Sequence, residues 1–127
     1  MNTTYDIPAG LSDLLSAYDA AHWETVVAEL KSGSDTLLRG SVLSLVAGKL
    51  ELTKATTEDL AYGVLLDAEV DTTVAHSDGT VTGSVARAGS FRGPALLVAS
   101  GTDVVKVVAA LRDHGIYTHG EVTAPAP

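Results

Sequence analysis

From residue 24 onward the apolar residues of this chain fall in runs of strand length, each closed by glycine or a polar turn. Only one segment in that part of the chain, near the C-terminus, carries the period of a helix. This patterning restricts the chain to a mainly β fold with a small α/β part. The runs are Val26, Val27, Ala28 and Leu30, then Ser41 to Ala47, Leu50 to Thr53, Ala61 to Leu66, Val70 to Ala75, Thr80 to Arg87 and Ile116 to Thr118. Between them, Ser32-Gly33-Ser34-Asp35 reads as a loop, Gly48-Lys49 as a tight turn and Ser77-Asp78-Gly79 as a hairpin signal, since Asp-Gly supplies the positive φ that hairpin turns need. Tyr62-Gly63-Val64-Leu65-Leu66 lacks the apolar–polar alternation of a half-exposed strand, which predicts a strand buried on both faces.

The helical segment follows Gly101. Thr102 is expected to cap it, Asp103 to sit in its first turn, and Val104, Val105, Val107, Val108 and Leu111 to form its apolar stripe. Gly115 stops it after His114, which brings Ile116 back toward Leu111. A second, shorter helical spacing, Leu11, Leu14, Leu15 and Tyr18, ends near Ala21 behind ten residues that are mostly polar or small and include Pro8 and Gly10. Such a helix is too short to stand without something to dock on. The expected organisation is an N-terminal arm over 1–22, one domain over 23–119 and a frayed tail over 120–127, where Ala124-Pro125-Ala126-Pro127 closes the sequence.

Composition narrows the functional classes. A chain of 127 residues suits a single core, and with 46% hydrophobic but only 5% aromatic residues that core must be built from Val, Leu, Ile and Ala. The formal net charge of -8 has the wrong sign for tracking phosphates, so direct nucleic-acid binding is not expected. Without cysteine, stability must come from packing or association. No apolar run approaches membrane-spanning length and no basic-then-apolar leader opens the sequence, so the expectation is a soluble protein made in the cytoplasm, with no membrane partner.

A search for chemistry finds little. His22, His76, His114 and His119 show no one-turn helical spacing of a zinc site, so no metal site is expected. Glu58-Asp59 and Asp67, Glu69 and Asp71 read as a solvated rim. No nucleophile elbow, Walker loop or dinucleotide fingerprint is present, so neither catalytic residues nor a cofactor are expected. An alternative is carried by Glu51-Leu52-Thr53-Lys54-Ala55, which looks like the modified-lysine hairpin of lipoyl carrier domains and would make Lys54 the acceptor. Thr53 stands where those domains usually place an acidic residue.

Four segments resemble the lambda-type head decoration proteins of tailed phages, in the order that family has them. Leu37-Leu38-Arg39-Gly40-Ser41-Val42-Leu43 is similar to its Leu-x-Arg-Gly-Thr-Val-Leu segment, and Tyr62 to Asp71 to its Gly-Ile/Val-Leu strand and acidic loop. Val85 to Arg92 resembles its crossing strand and Gly-x-Phe segment, here followed by Ala95-Leu96-Leu97-Val98, and Leu111 to Tyr117 its closing helix and strand. The resemblance spans about residues 24 to 119 and departs from the family at the helical spacing of the arm. It implies a β-clip-like head decoration fold with one C-terminal helix, assembled as a homotrimer on the exterior of the virion, where it binds the major capsid protein and stabilises the capsid against internal DNA pressure. Tyr5, Leu11, Leu14, Leu15 and Tyr18 are the candidate capsid contacts, and Gly63, Gly89, Phe91, Leu111 and Gly115 the candidate structural anchors.

Overall fold

The structure, a computed structural model, describes residues 24–33, 36–75 and 79–125. The arm, with Tyr5, Leu11, Leu14, Leu15 and Tyr18, lies outside the described residues, as do His22, His76, Asp78 and the last two positions of the tail. Among the described residues, eight strands and one α-helix follow in order: β1 (Glu24–Leu30), β2 (Thr36–Leu38), β3 (Val42–Val46), β4 (Lys49–Leu52), β5 (Ala61–Leu65), β6 (Glu69–Asp71), β7 (Val81–Arg92), α1 (Val104–Asp113) and β8 (Ile116–His119). The fold is mainly β with one helix near the C-terminus, as the patterning predicts.

Strands β1, β4, β3, β5 and β7 are neighbours in that order, and β1 also pairs with β7, so the five close into a ring. The β1–β7 seam is long and antiparallel, running from Glu24↔Ala88 to Leu30↔Val81. The β1–β4 seam is parallel and narrow, with the single pair Leu30↔Leu50 and the Lys31 N–H donating to the Leu50 carbonyl at 2.8 Å. The C-terminal half of β7 leaves the ring and pairs in parallel with β8, from Gly89↔Ile116 to Arg92↔His119. Gly89, at φ 131°, sits where the strand changes partners, a conformation that favours glycine. A separate two-stranded ribbon joins β2 to β6.

Successive residues of the central strands serve two different cores. Leu30, Leu43, Leu50, Leu65, Val81 and Val85, drawn from all five ring strands, pack inside the ring. Val42, Val64, Leu66 and Ala86, adjacent to them in sequence, face outward under α1 and join Phe91, Val107, Leu111 and Ile116. The period of two is intact, but both faces are apolar, so the expected alternation of apolar with polar residues disappears.

Several local expectations need correction. The tight turn lies one residue earlier than Gly48-Lys49: Val46 pairs with Lys49, leaving Ala47 (φ 51°) and Gly48 (φ 84°) as the two positive-φ residues of a hairpin loop. The run from Val70 to Ala75 is cut to Glu69–Asp71 because the Asp71 carboxylate accepts from the Thr73 amide and hydroxyl and folds the chain into a turn. Gly79 does not join a hairpin, since β6 pairs with β2, whereas β7 pairs with β1, β5 and β8. Strand β7 runs five residues past Arg87, carrying Phe91 into the core.

The helix starts one position later than expected, with Asp103 rather than Thr102 as its cap: the Asp103 carboxylate accepts from the Val105 amide, and the Thr102 hydroxyl instead donates to the Ala99 carbonyl. Val104, Val107, Val108 and Leu111 face the core, while Val105, one residue off that stripe, is 74% exposed. At the other end Gly115, φ 83°, donates to the Arg112 carbonyl at 3.0 Å, and Leu111 and Ile116 meet in one core. Val122 is buried in that core as well, so packing extends beyond His119 into the stretch expected to fray.

Candidate functional site

The strand arrangement brings β2, β4, the segment after β1 and the turn after β6 to one cleft of about 320 Å³, whose lining includes Lys31, Gly33, Leu37, Glu51, Leu52, Lys54 and Thr72. Lys31 and Glu51 come together because the parallel pair Leu30↔Leu50 aligns the residues that follow each. The Lys31 Nζ stands 3.4 Å from one Glu51 carboxylate oxygen and the Lys54 Nζ 3.4 Å from the other. Both lysine side chains are more than half exposed, whereas Glu51 is largely covered. Among the described residues that line the cleft, two ammonium groups thus stand against one carboxylate, on a chain whose net charge is -8. Sequence reasoning missed the cleft, because nothing in the spacing announces a parallel pairing between positions 30 and 50.

Lys54 itself is placed differently from a carrier lysine. It opens a turn in which the Thr57 amide donates to the Lys54 carbonyl at 2.9 Å, and the chain passes from there into a 3-10 turn, Glu58–Leu60, and then into β5. Strand β4 pairs with β3 and β1, not with β5, so Lys54 does not sit at the tip of a hairpin. The hydroxyls nearby are tied up structurally: Ser44 and Thr53, both fully buried, share a hydrogen bond of 2.7 Å, and Ser44 also donates to the Thr57 carbonyl.

The carboxylates divide. Asp59, Glu69 and Asp71 are exposed, in keeping with a solvated rim. Glu58 is not part of it: buried at 8% exposure, it accepts from the Asp103 amide at the N-terminus of α1, with Lys106 at 4.0 Å. Asp67 likewise has an internal task, accepting from the Ser84 amide of β7 at 2.7 Å. The positive end of a helix and an unpaired strand amide are places where a carboxylate gains more than it does in water. Among the described residues no group of three or more His, Asp or Glu could hold a metal ion. His114 instead packs edge-on against Tyr62, at 5.3 Å between centroids, and the Arg87 guanidinium lies 4.9 Å from the same ring.

The candidate anchors occupy structural positions. Phe91 and Leu111 are fully buried. A Cβ on Gly63 would fall 2.6 Å from a Val85 methyl and 2.8 Å from the Ala86 carbonyl oxygen, so only glycine allows β5 to approach β7 there. Large apolar side chains remain exposed at Val27, Leu38, Leu97, Val105 and Tyr117, on four different elements and one connecting segment. Compared with known proteins, the chain matches no family model and no curated sequence.

Proposed function

We propose that this chain is a structural cement protein of a tailed-phage head, with a β-clip-like fold, which binds the major capsid protein on the capsid exterior as a homotrimer. What supports the reading is the relation among the four segments whose order resembles the decoration family. They are hydrogen-bonded partners in space: β2 with β6, β3 with β5, β5 with β7, and β7 with the β8 that α1 leads into. The resemblance therefore falls on one connected framework and not on scattered strands. Exposed apolar residues such as Val27 and Tyr117 offer area for contacts between subunits.

The task so defined is mechanical. A trimer that grips several capsid subunits at once multiplies contacts that are individually weak, which resists outward pressure without any catalytic step. The test is binding to expanded heads stripped of their decoration protein, followed by challenge with heat or a chelator. Saturable binding that raises the temperature of head rupture is the expected result. Absence of binding by a folded protein overturns the reading, and a mass increment on Lys54 of the native protein would replace it with the carrier alternative.

A further inference from the structure

The cleft around Glu51 combines two kinds of surface that a single ligand must match. One is the ammonium groups of Lys31 and Lys54, each able to donate three hydrogen bonds and each holding Glu51 at 3.4 Å, which leaves donors for a second carboxylate. The apolar side chains of Leu37, Leu52 and Ala99 also line the cleft. At about 320 Å³ the cleft is at the small end of ligand clefts, with room for a few side chains. Glu51 already neutralises half of the positive charge, which favours a singly charged carboxylate next to aliphatic groups.

The chain itself contains such a segment. Residues 1–23 hold three acidic residues, Asp6, Asp13 and Asp19, and no lysine or arginine. Asp13 is flanked by Leu11, Leu14 and Leu15, a carboxylate set among aliphatic side chains. Length permits the contact. The cleft begins at Lys31, just past the end of β1 and seven residues after Glu24, or about 23 Å along an extended chain at ~3.3 Å per residue. Asp13 precedes Glu24 by eleven residues and so reaches about 36 Å, enough to double back along β1, whereas Asp19, with about 17 Å, falls short.

We propose that the Lys31–Lys54 cleft is the dock for the chain's own segment Leu11 to Leu15, with the Asp13 carboxylate between the two lysines and the leucines against Leu37 and Leu52. The contact belongs to the free protein and holds whether or not the chain decorates a head.

The experiment compares amide chemical shifts of the full chain with those of a chain lacking residues 1–21. The expected result is that the amides of Lys31 to Gly33, Leu52 to Lys54 and Thr72 move on deletion, that an excess of a synthetic peptide of residues 9–21 moves them back, and that Asp13→Asn in the full chain reproduces the deletion shifts. In a chain carrying both Lys31→Ala and Lys54→Ala, whose folding is checked by its melting curve, deletion leaves these amides unmoved. Unchanged cleft amides on deletion overturn the proposal. So does restoration of the shifts by an equimolar amount of unlabelled full chain, which would assign the segment to a neighbouring copy.

Discussion

Phe91 is the chain's only phenylalanine and it is fully buried between β7, the helix and β8, so its replacement removes a large volume with nothing nearby to fill it. Phe91→Ala is expected to lower stability by about 3–5 kcal/mol, read from urea unfolding with an unchanged m-value. Gly63→Ala acts in the opposite way, by adding a carbon where Val85 and Ala86 already stand. A loss of about 1–3 kcal/mol is expected in the same assay. Asp71 titrates in a different environment: its carboxylate accepts from the Thr73 hydroxyl and then from the Thr73 amide, which holds its carboxyl below the usual carboxylate range. Because the folded value is the lower one, the stabilisation it gives is complete above the ordinary value of about 3.9 and is lost as pH falls through the folded value. An NMR titration of Asp71 should show the depressed value, and Thr73→Ala should move it back toward the ordinary one. Phe91 and Gly63 stand out in the sequence, as the only phenylalanine and as a glycine inside an apolar strand. Glu58 does not, because its partner Asp103 lies 45 positions away and a carboxylate beside Asp59 reads as solvent-facing.

Valine-rich helices form poorly on their own, and α1 carries four valines in ten residues, so it depends on what holds its ends and its buried face. Its N-terminus has two carboxylate acceptors, Asp103 from within and Glu58 from the 3-10 turn before β5. Asp103→Ala is expected to cost about 1 kcal/mol. Glu58→Ala should cost more, about 1.5–3 kcal/mol, the usual contribution of a hydrogen bond to a charged acceptor, here the one that Glu58 accepts from the Asp103 amide. Hydrogen exchange localises both effects: the first-turn amides of α1 should lose protection before those of β5 and β7. At this scale the sequence was informative where one local rule acts alone, as at Gly115, where the chain stops the helix. It misled where two rules compete. Thr102 and Asp103 can each cap a helix, and the choice fell to Asp103 because the Thr102 hydroxyl bonds back to Ala99. Val70 to Thr72 has strand composition, yet the Asx turn at Asp71 and Thr73 ends the strand early.

Among the described residues, the buried members of both cores lie between Leu30 and Val122 and pack on one another. Removal of residues 1–21 is therefore expected to leave the melting temperature within a few degrees of the full chain. If the arm is the capsid contact, the same deletion abolishes binding to undecorated heads. A collapse of the melt would instead make Leu11, Leu14 and Tyr18 part of the subunit's own core. The β-rich class was legible because strand-length runs leave few other choices, and the two-sided burial of β5 was legible from Tyr62 to Leu66. The ring was not, because its closure joins β1 to β7 across most of the sequence and its other seam is a single parallel pair.

That closure also sets an order of events during synthesis. Strand β1 is the first described strand to leave the ribosome, yet Glu24 finds its partner at Ala88, sixty-four positions later. At about 5–20 residues per second, its apolar residues wait roughly 3–13 seconds before the seam can form. Of the ring strands, β3 and β4 can pair at once through their short hairpin, and β5 can add to β3, so the nascent chain presents a three-stranded sheet with one long strand still unmatched. Translation speed across the codons for residues 60–90 thus governs how long Val26, Val27 and Ala28 stand open to other nascent chains. Slowing it should increase aggregation during expression without changing the stability of the protein once made.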